Sequence, residues 1–171
     1  MEDKIGRLLM HWRIRNVLPH IRGKLLDVGC GTNELSCMYA GPATGVDVYQ
    51  WGNVDIVVED SADLPLPDQE FDTVAIVAAL NHIPNREAVL RESYRLLKPG
   101  GRLIVTMIPP NIAMVWHRLR EPWDVDQAVR GMKEGEVYGL SNFEVVRPVS
   151  YTHLTLPTTL PRCRARWSRG Q

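Results

Sequence analysis

The stretch Leu25-Leu26-Asp27-Val28-Gly29-Cys30-Gly31-Thr32-Asn33 decides the fold of this 171-residue chain. Its apolar first half predicts a buried strand, and the two glycines, one residue apart, predict a tight turn before a helix. Because glycine has no Cβ atom, a ligand can lie directly against the backbone of such a turn. In an open parallel sheet, nucleotide-like ligands bind beside the turn that follows the first strand.

The length of the chain predicts one domain, which can bury roughly 70% of the surface of its unfolded chain. The formal net charge is +0, but the two ends of the chain differ. Residues 149–171 hold four arginines and no acid, which leaves residues 1–148 with 16 basic and 20 acidic residues. A mildly acidic body of this kind predicts no binding of nucleic acid.

The three cysteines are Cys30, Cys37 and Cys163, an odd number without the spacing of a metal site. They are interpreted as reduced thiols, so we expect a cytoplasmic protein and no bound metal. Neither a secretory leader nor an apolar run long enough to span a bilayer is present in the sequence. No pattern in the sequence indicates an oligomeric state.

Strands and helices alternate in the pattern. Strands are predicted at 44–48, 55–58, within 68–77 and at 102–108, and helices at 2–21, 33–39 and 86–97, the last capped by Asn85. The leading helix has apolar residues near helical spacing, among them Leu8, Trp12 and Val17. Only residues 49–54 join the second and third strands, too few for the usual crossover helix, so this edge of the sheet is expected to be trimmed.

Four segments resemble the motifs of class I S-adenosylmethionine-dependent methyltransferases. They are Asp27-Val28-Gly29-Cys30-Gly31, Asp60-Ser61-Ala62-Asp63-Leu64-Pro65, Leu80-Asn81-His82-Ile83-Pro84 and Leu96-Leu97-Lys98-Pro99-Gly100-Gly101. The likeness runs from about Val17 to Gly139. It implies an α/β, Rossmann-like methyltransferase fold, with a largely parallel sheet and helices on both faces. It also implies S-adenosyl-L-methionine as cofactor and a small molecule as methyl acceptor.

The same resemblance implies a set of cofactor-binding residues. The glycines admit the methionine part, Asp47 accepts hydrogen bonds from the ribose hydroxyls, and Asp60 takes the adenine amino group. The backbone amide of Ser61 reaches a ring nitrogen, and the loop after Val77 faces the sulfur. The full set is Asp27, Gly29, Cys30, Gly31, Asp47, Val48, Asp60, Ser61 and Val77. Glu59 stands where the family usually has glycine.

Several side chains near the expected site have two interpretations. His82 has a side chain suited to a general base at the methyl acceptor, or it shapes the loop beside the cofactor. Tyr49 and Trp51 either wall the adenine or cover the sheet edge. His11 and His20 either touch substrate or lie at the surface.

Two rival functions follow from the glycine turn. A dinucleotide-binding turn would place a third glycine at position 34, where this chain has Glu34, whose carboxylate would repel a pyrophosphate. Alternatively, Glu34 simply complements the helix dipole. A nicotinamide-dependent oxidoreductase is therefore disfavoured. A non-catalytic domain that binds S-adenosylmethionine or S-adenosylhomocysteine is the other alternative.

The C-terminal part of the chain is expected to depart from the family. Residues 109–148 would build the acceptor pocket, where Trp116 and Trp123 either line the pocket or pack on the sheet. Residues 149–171 resemble a translation of sequencing-adapter DNA, so we expect a methyltransferase domain at 1–148 and a non-native tail. On this interpretation the last antiparallel strand pair of the family is missing; a genuine basic tail is the alternative.

Overall fold

The computed structural model describes residues 4–107. Its helices are α1 (Lys4–Val17), α2 (Glu34–Met38) and α3 (Arg86–Leu96), and its strands are β1 (Leu25–Val28), β2 (Ala43–Asp47), β3 (Ile56–Val57), β4 (Phe71–Val77) and β5 (Leu97–Thr106). Short 3-10 turns lie at Leu18–His20 and Leu80–His82. The predicted alternation of strands and helices is confirmed.

The five strands form one parallel sheet in the order β3-β2-β1-β4-β5. The chain starts in the middle with β1, moves outward to β2 and β3, and then returns to the other side of β1 for β4 and β5. The direction of winding therefore reverses between β1 and β4. In open α/β sheets, the crevice at the carboxyl ends of the strands on either side of this reversal is where ligands bind.

Alternating residues of the strands supply two apolar cores, one on each face of the sheet. Leu26, Val74 and Leu103 lie in the core that includes the inner side of α3. Their immediate neighbours Leu25, Ala75 and Ile104 lie in the other core, with residues of α1 and α2. Because both faces are covered, most side chains of the central strands are apolar, as expected for a parallel sheet, with Asp27 and Thr73 as buried polar exceptions. The prediction of helices on both faces is confirmed.

The leading helix buries only part of the apolar set that the sequence pattern picked out. Ile14 and Val17 are buried against the sheet, whereas Leu8 and Trp12 have 68% and 58% of their surface exposed. Of the three apolar positions named from the sequence, Val17 is therefore buried, and Leu8 and Trp12 are not. The contact of α1 with the sheet core is made by Ile14 and Val17, with Met10 partly buried against the same core.

The link between β2 and β3 contains no helix, as the sequence predicted, and side-chain hydrogen bonds fasten it instead. Asp55 Oδ2 accepts hydrogen bonds from the backbone N–H of Gly45 (2.7 Å) and from Asn33 Nδ2 (3.0 Å). Asn33 Nδ2 also donates to the carbonyl oxygen of Asn53 at 2.8 Å. Asn33 adopts a left-handed backbone conformation with φ of 64°, which asparagine tolerates better than most residues. One side chain thus ties the turn after β1 to the trimmed edge.

The fifth strand begins earlier than the predicted residue 102. Leu97 pairs with Phe71, and a register shift follows before Arg102 pairs with Thr73. Lys98 lies in this irregular stretch and its Nζ is 2.9 Å from Asp72 Oδ2. The segment expected as a turn before the strand is therefore part of the strand, because this ion pair and the Leu97 pairing hold it at the sheet.

Several predictions fall outside the described residues. These are the acceptor-pocket segment at 109–148, the absence of a final antiparallel strand pair, and the division into residues 1–148 and a 149–171 tail; all remain predictions. Within residues 4–107, none of the helices combines the length and the apolar character needed to cross a bilayer.

We expect Gly45→Ala to destabilise the protein, because the added Cβ would overlap Asn33 Oδ1 inside a buried strand. Overpacking of this kind costs ~1–3 kcal/mol, which urea unfolding measures. Asn33→Gly, which suits the left-handed backbone and removes the obstructing side chain, provides the control. The double variant should lose less stability than the two single variants added together. Strict additivity would show that the two residues do not compete for this space.

Candidate functional site

The glycine turn after β1 is held against β2 and leaves open space on one side. The backbone N–H groups of Gly29 and Cys30 donate to the Val46 carbonyl oxygen at 2.9 and 3.1 Å. Both glycines have positive φ, 71° for Gly29 and 54° for Gly31. A Cβ on Gly29 would lie 2.5 Å from the Ala79 Cβ, whereas a Cβ on Gly31 would meet nothing within 4 Å. Gly29 therefore permits close packing, and Gly31 borders free space that a ligand can occupy.

Asp47, the last residue of β2, is fixed beside this turn. Its Oδ2 accepts a hydrogen bond from the Gly31 N–H at 2.9 Å, and its Oδ1 accepts one from the Tyr49 N–H at 3.0 Å. Only 7% of the residue is exposed. Each carboxylate oxygen has two lone-pair directions, so both can still accept a hydrogen bond from a ligand hydroxyl. The next residue, Val48, is 38% exposed and presents an apolar side chain beside the carboxylate.

Asp27 lies inside the sheet one strand away and is only 2% exposed. Its Oδ1 has no hydrogen-bond partner among the described residues. Burial, and to a smaller extent the negative charge of Asp47, raise the pKa of Asp27 to about 7. An unpaired polar atom in a buried position is costly, and such groups concentrate at functional sites. Asp27, one of the predicted cofactor-binding residues, is thus electrostatically unusual.

The turn lies in a region of negative potential. Burial raises the pKa of the Cys30 thiol, and the carboxylates of Asp27, Asp47 and Asp55 raise it further. The thiol is therefore protonated and unreactive, because the thiolate is the nucleophilic form. A pyrophosphate needs positive potential at this position, whereas a cationic ligand is favoured by it.

Glu34 places a further carboxylate at the start of the helix that follows the glycine turn. It is the first residue of α2, a helix of only five residues, and its Oε2 lies 3.4 Å from His11 Nε2 of α1. The His11 side chain is 35% exposed and contacts Glu34; its contact with a substrate stays a prediction. His20, in contrast, is exposed at the end of the following 3-10 turn.

The carboxyl end of β4 approaches the glycine turn from the other side. Val77 ends the strand and is half-buried; Ala78 then adopts a φ of 54°, unusual for a residue with a Cβ. Thr106 holds Ala78 there, since its carbonyl oxygen and Oγ1 accept the Ala78 N–H at 3.1 and 3.0 Å. Backbone strain of this kind persists where surrounding contacts enforce it, commonly at ligand sites. Sequence patterns do not reveal this conformation at Ala78, because alanine is not a residue typical of it.

His82 lies at the end of the 3-10 turn Leu80–His82, shortly after β4. Its backbone N–H donates to the Ala79 carbonyl oxygen at 2.9 Å, and its side chain is half-buried. This position is compatible with both predicted roles, as a base or as part of the loop that packs beside the glycine turn.

The segment after β3 carries the predicted adenine contacts. Asp60 is exposed, and its Oδ1 accepts the Ala62 N–H at 2.8 Å. Asn85 Nδ2 lies 3.2 Å from Asp60 Oδ1 and 3.1 Å from Oδ2. Asn85 occupies the N-cap position of α3 but makes no side-chain cap hydrogen bond, so its predicted role as a capping side chain is wrong. Its amide binds Asp60 instead. Ser61 is buried, at 6% exposure.

The parallel sheet brings most of the predicted residues to one edge. A hydrogen bond joins Asp47 to the glycine turn, and Asp27 lies on the strand that leads into this turn. The Asp60 segment and the loop after Val77 follow neighbouring strands at the same carboxyl edge. The rings of Tyr49 and Trp51 pack together in the trimmed crossover, with centroids 5.7 Å apart. Whether the two rings wall an adenine remains a prediction.

A cavity of about 200 Å³ lies at the opposite, amino edge of the sheet. Its lining includes Arg22, Asp72, Lys98 and Arg102. Burial and the neighbouring Arg22 lower the pKa of Arg102. Ligand sites for molecules of nucleoside size are larger, about 300–1,000 Å³, so this cavity is not the site that the glycine turn forms. No three His, Cys, Asp or Glu side chains between residues 4 and 107 are grouped as metal ligands would be.

Parallel strands in this order, with an acid at the end of β2 facing a glycine turn after β1, define a Rossmann-like ligand-binding domain. Residues 26–105 match a family model described as a methyltransferase domain. This match confirms the resemblance to class I S-adenosylmethionine-dependent methyltransferases that the motifs predicted.

Two relatives show how far the likeness extends. A demethylmenaquinone methyltransferase of Listeria welshimeri is 37% identical over 109 residues, which cover 52% of this chain and 46% of the relative. A 27-O-demethylrifamycin SV methyltransferase of Amycolatopsis mediterranei is 36% identical over 111 residues, covering 53% of this chain and 41% of the relative. The chain thus spans less than half of the length of either relative.

A solved structure confirms the fold. An S-adenosylmethionine-dependent methyltransferase of Thermotoga maritima superposes with a TM-score of 0.62 over 82% of this chain and 69% of its own, at 22% sequence identity. This likeness supports the Rossmann-like methyltransferase architecture predicted from the sequence.

Asp27 should make stability depend on pH. Its pKa is 3.8 in the unfolded chain and about 7 in the fold, so the folded state binds the proton more tightly between these values. The stabilisation is complete below pH 4 and is lost as the pH rises through 7, about 4 kcal/mol in total at 1.36 kcal/mol per pKa unit. Asp27→Asn stays neutral and should therefore gain stability relative to the parent between pH 5 and pH 8.

Chemical unfolding of both proteins at several pH values measures this difference. Asp63→Asn, a matched change at an exposed turn residue, should follow the parent at every pH. Parallel curves for the parent and Asp27→Asn would show that the buried carboxyl does not take up a proton.

Proposed function

We propose that the intact protein is an enzyme that transfers the methyl group of S-adenosyl-L-methionine to a small-molecule acceptor. The observation that carries this proposal is the carboxylate of Asp47, held 2.9 Å from the Gly31 amide near Asp27, whose buried Oδ1 has no partner among the described residues. A bare turn between two carboxylates suits a cation with a ribose. It is unsuited to a pyrophosphate, which disfavours a nicotinamide cofactor.

The residues present fit this cofactor. Gly31 borders open space where the methionine part can lie against the backbone, and Gly29 and Cys30 complete the turn. The two oxygens of Asp47 can each accept a hydrogen bond from a ribose hydroxyl, with Val48 as an apolar neighbour. Asp60 and the Ser61 amide would bind the adenine. Val77 leads into the loop that would face the sulfur.

The chemistry asked of the protein is mainly positioning. When bound, the cofactor supplies an already activated methyl group on its sulfonium, ready for direct in-line displacement. Holding donor and acceptor in line is worth up to ~7–11 kcal/mol of the barrier in favourable cases. Asp27 and Asp47 would hold the donor, and the strained Ala78 loop would fix the wall next to the reacting atoms. His82 is the candidate to accept a proton from an oxygen, nitrogen or carbon acceptor, and this role is untested.

The class of acceptor follows from the relatives rather than from the described residues. One relative is named for demethylmenaquinone and the other for 27-O-demethylrifamycin SV. Both names favour a small-molecule acceptor over a nucleic acid, in agreement with the acidic body of the chain. We place the protein in the cytoplasm, and its methyltransferase domain at residues 1–148, with 149–171 as a non-native tail.

Side-by-side calorimetric titrations with S-adenosylhomocysteine and NADH test the proposal. We expect binding of S-adenosylhomocysteine and none of NADH; the reverse result would favour an oxidoreductase. Binding of S-adenosylhomocysteine without methyl transfer to demethylated quinols or to extract-derived small molecules would instead indicate a non-catalytic binding domain.

Asp47→Ala should weaken the binding of S-adenosylhomocysteine by ~10–150-fold. The variant loses hydrogen bonds from the ribose to a charged acceptor, ~1.5–3 kcal/mol if one of them dominates. Asp63→Ala removes an exposed carboxylate nearby and should bind like the parent. An unchanged Kd for Asp47→Ala, measured by calorimetry, would exclude the ribose role.

A further inference from the structure

The segment between β3 and β4 has little regular structure of its own. The segment carries Asp60 and Ser61. Asp60 is exposed, and the hydrogen bonds within this part of the segment join residues only two or three positions apart. These are the Asp63 N–H to the Asp60 carbonyl oxygen at 3.2 Å and the Ala62 N–H to Asp60 Oδ1 at 2.8 Å. A turn held only by such bonds would sample several positions, so its placement depends on contacts with the rest of the fold.

An ion pair on α3 supplies these contacts. Arg95 Nε donates to Glu92 Oε2 at 2.8 Å, and an Arg95 terminal N–H donates to Glu92 Oε1 at 2.6 Å. Glu92 is only 8% exposed. Arg95 holds the pKa of Glu92 below its usual range, and Glu92 and Asp68 raise that of Arg95, so both groups stay charged. A buried carboxylate with such partners is tightly fixed.

The same pair forms hydrogen bonds with both N–H and C=O groups of the segment's backbone. Glu92 Oε1 accepts the Leu64 N–H at 2.8 Å. The Arg95 guanidinium donates to the carbonyl oxygens of Leu64 (3.1 Å) and Leu66 (3.0 Å), and it also pairs with Asp68. An apolar pair of equal volume could not satisfy these backbone groups.

The other end of the segment is tied to the same helix. Asn85, at the start of α3, donates to both carboxylate oxygens of Asp60. Two residues of α3 and its N-cap therefore fix the segment. Asn85 binds Asp60, and Arg95, ten positions further along the chain, binds Leu64 and Leu66. A shift of the Leu64 end would be transmitted to Asp60 through only three intervening residues.

We propose that Glu92 and Arg95 are positioning residues for the adenine end of the cofactor site, acting through the backbone of Leu64 and Leu66 on Asp60 and Ser61. This inference rests on the proposed function. Neither side chain needs to touch the ligand. The pair sets how well the Asp60 carboxylate and the Ser61 amide are aligned for the adenine ring, so it contributes to adenine selectivity as well as to folding.

Arg95→Lys is the decisive variant, because lysine keeps the charge but cannot reproduce the fork of donors to Glu92, Leu64 and Leu66. Arg91→Lys is its matched control, since Arg91 makes an exposed pair with Glu87 (3.0 Å) on the same helix. Calorimetry compares S-adenosylhomocysteine with S-inosylhomocysteine, in which an oxo group replaces the adenine amino group. We expect Arg95→Lys to weaken S-adenosylhomocysteine roughly tenfold, to affect the inosine analogue much less, and Arg91→Lys to match the parent.

A purely structural role predicts a different pattern. Arg95→Lys would then lower the melting temperature but leave both dissociation constants at parent values well below melting, or weaken both ligands equally; either result overturns the inference. If Arg95→Lys does not fold, Glu92→Gln, which retains an acceptor for Leu64, is measured in the same way with the same expectation. In an Asp60→Asn background, the effect of either change should shrink. A parent that fails to bind S-adenosylhomocysteine would instead overturn the proposed function, and the inference with it.

Discussion

The contact between the Asp47 carboxylate and the Gly31 amide is the constraint on which the candidate site depends. It joins the end of β2 to the turn after β1, and it fixes the direction in which the carboxylate faces. The turn can accept this contact because Gly31 adopts a positive φ and has no side chain in the way. The carboxylates of Asp47 and Asp55 give the same edge a negative potential suited to a cationic ligand. The neighbouring Asp27, buried without a partner for its Oδ1, adds to this potential when it is ionised, above its pKa of about 7.

At the trimmed edge of the sheet, side-chain hydrogen bonds take the place of the missing crossover helix between β2 and β3. A crossover helix normally covers the strand pair that β2 and β3 form. Here Asn33 and Asp55 satisfy backbone groups of the connecting loop and of Gly45, so the loop is held without a helix. Asn33 also follows the glycine turn directly. The stability of the sheet edge and the geometry of the ligand turn are therefore coupled through a single side chain.

On the other face of the sheet, side chains at both ends of α3 support the segment that carries Asp60. The sequence suggested Asn85 as a helix cap, because asparagine is common at that position. The structure shows that its amide binds Asp60 instead, and that the Glu92–Arg95 pair binds the backbone of Leu64. Residues distant in sequence thus hold Asp60 and Leu64 in place, which spacing along the chain does not reveal.

The sequence by itself determined the order of strands and helices and the identity of the glycine turn and its acids. These depend on local properties: apolar runs, residues that permit positive φ, and motifs shared with a family. Only the tertiary structure decided that Leu8 and Trp12 lie away from the sheet, that β5 begins at Leu97, and that Ala78 is strained at the reversal point. Each of these follows from contacts between segments distant in sequence, such as Leu97 with Phe71 and Ala78 with Thr106, because packing between elements can override the preference of a residue for its local conformation.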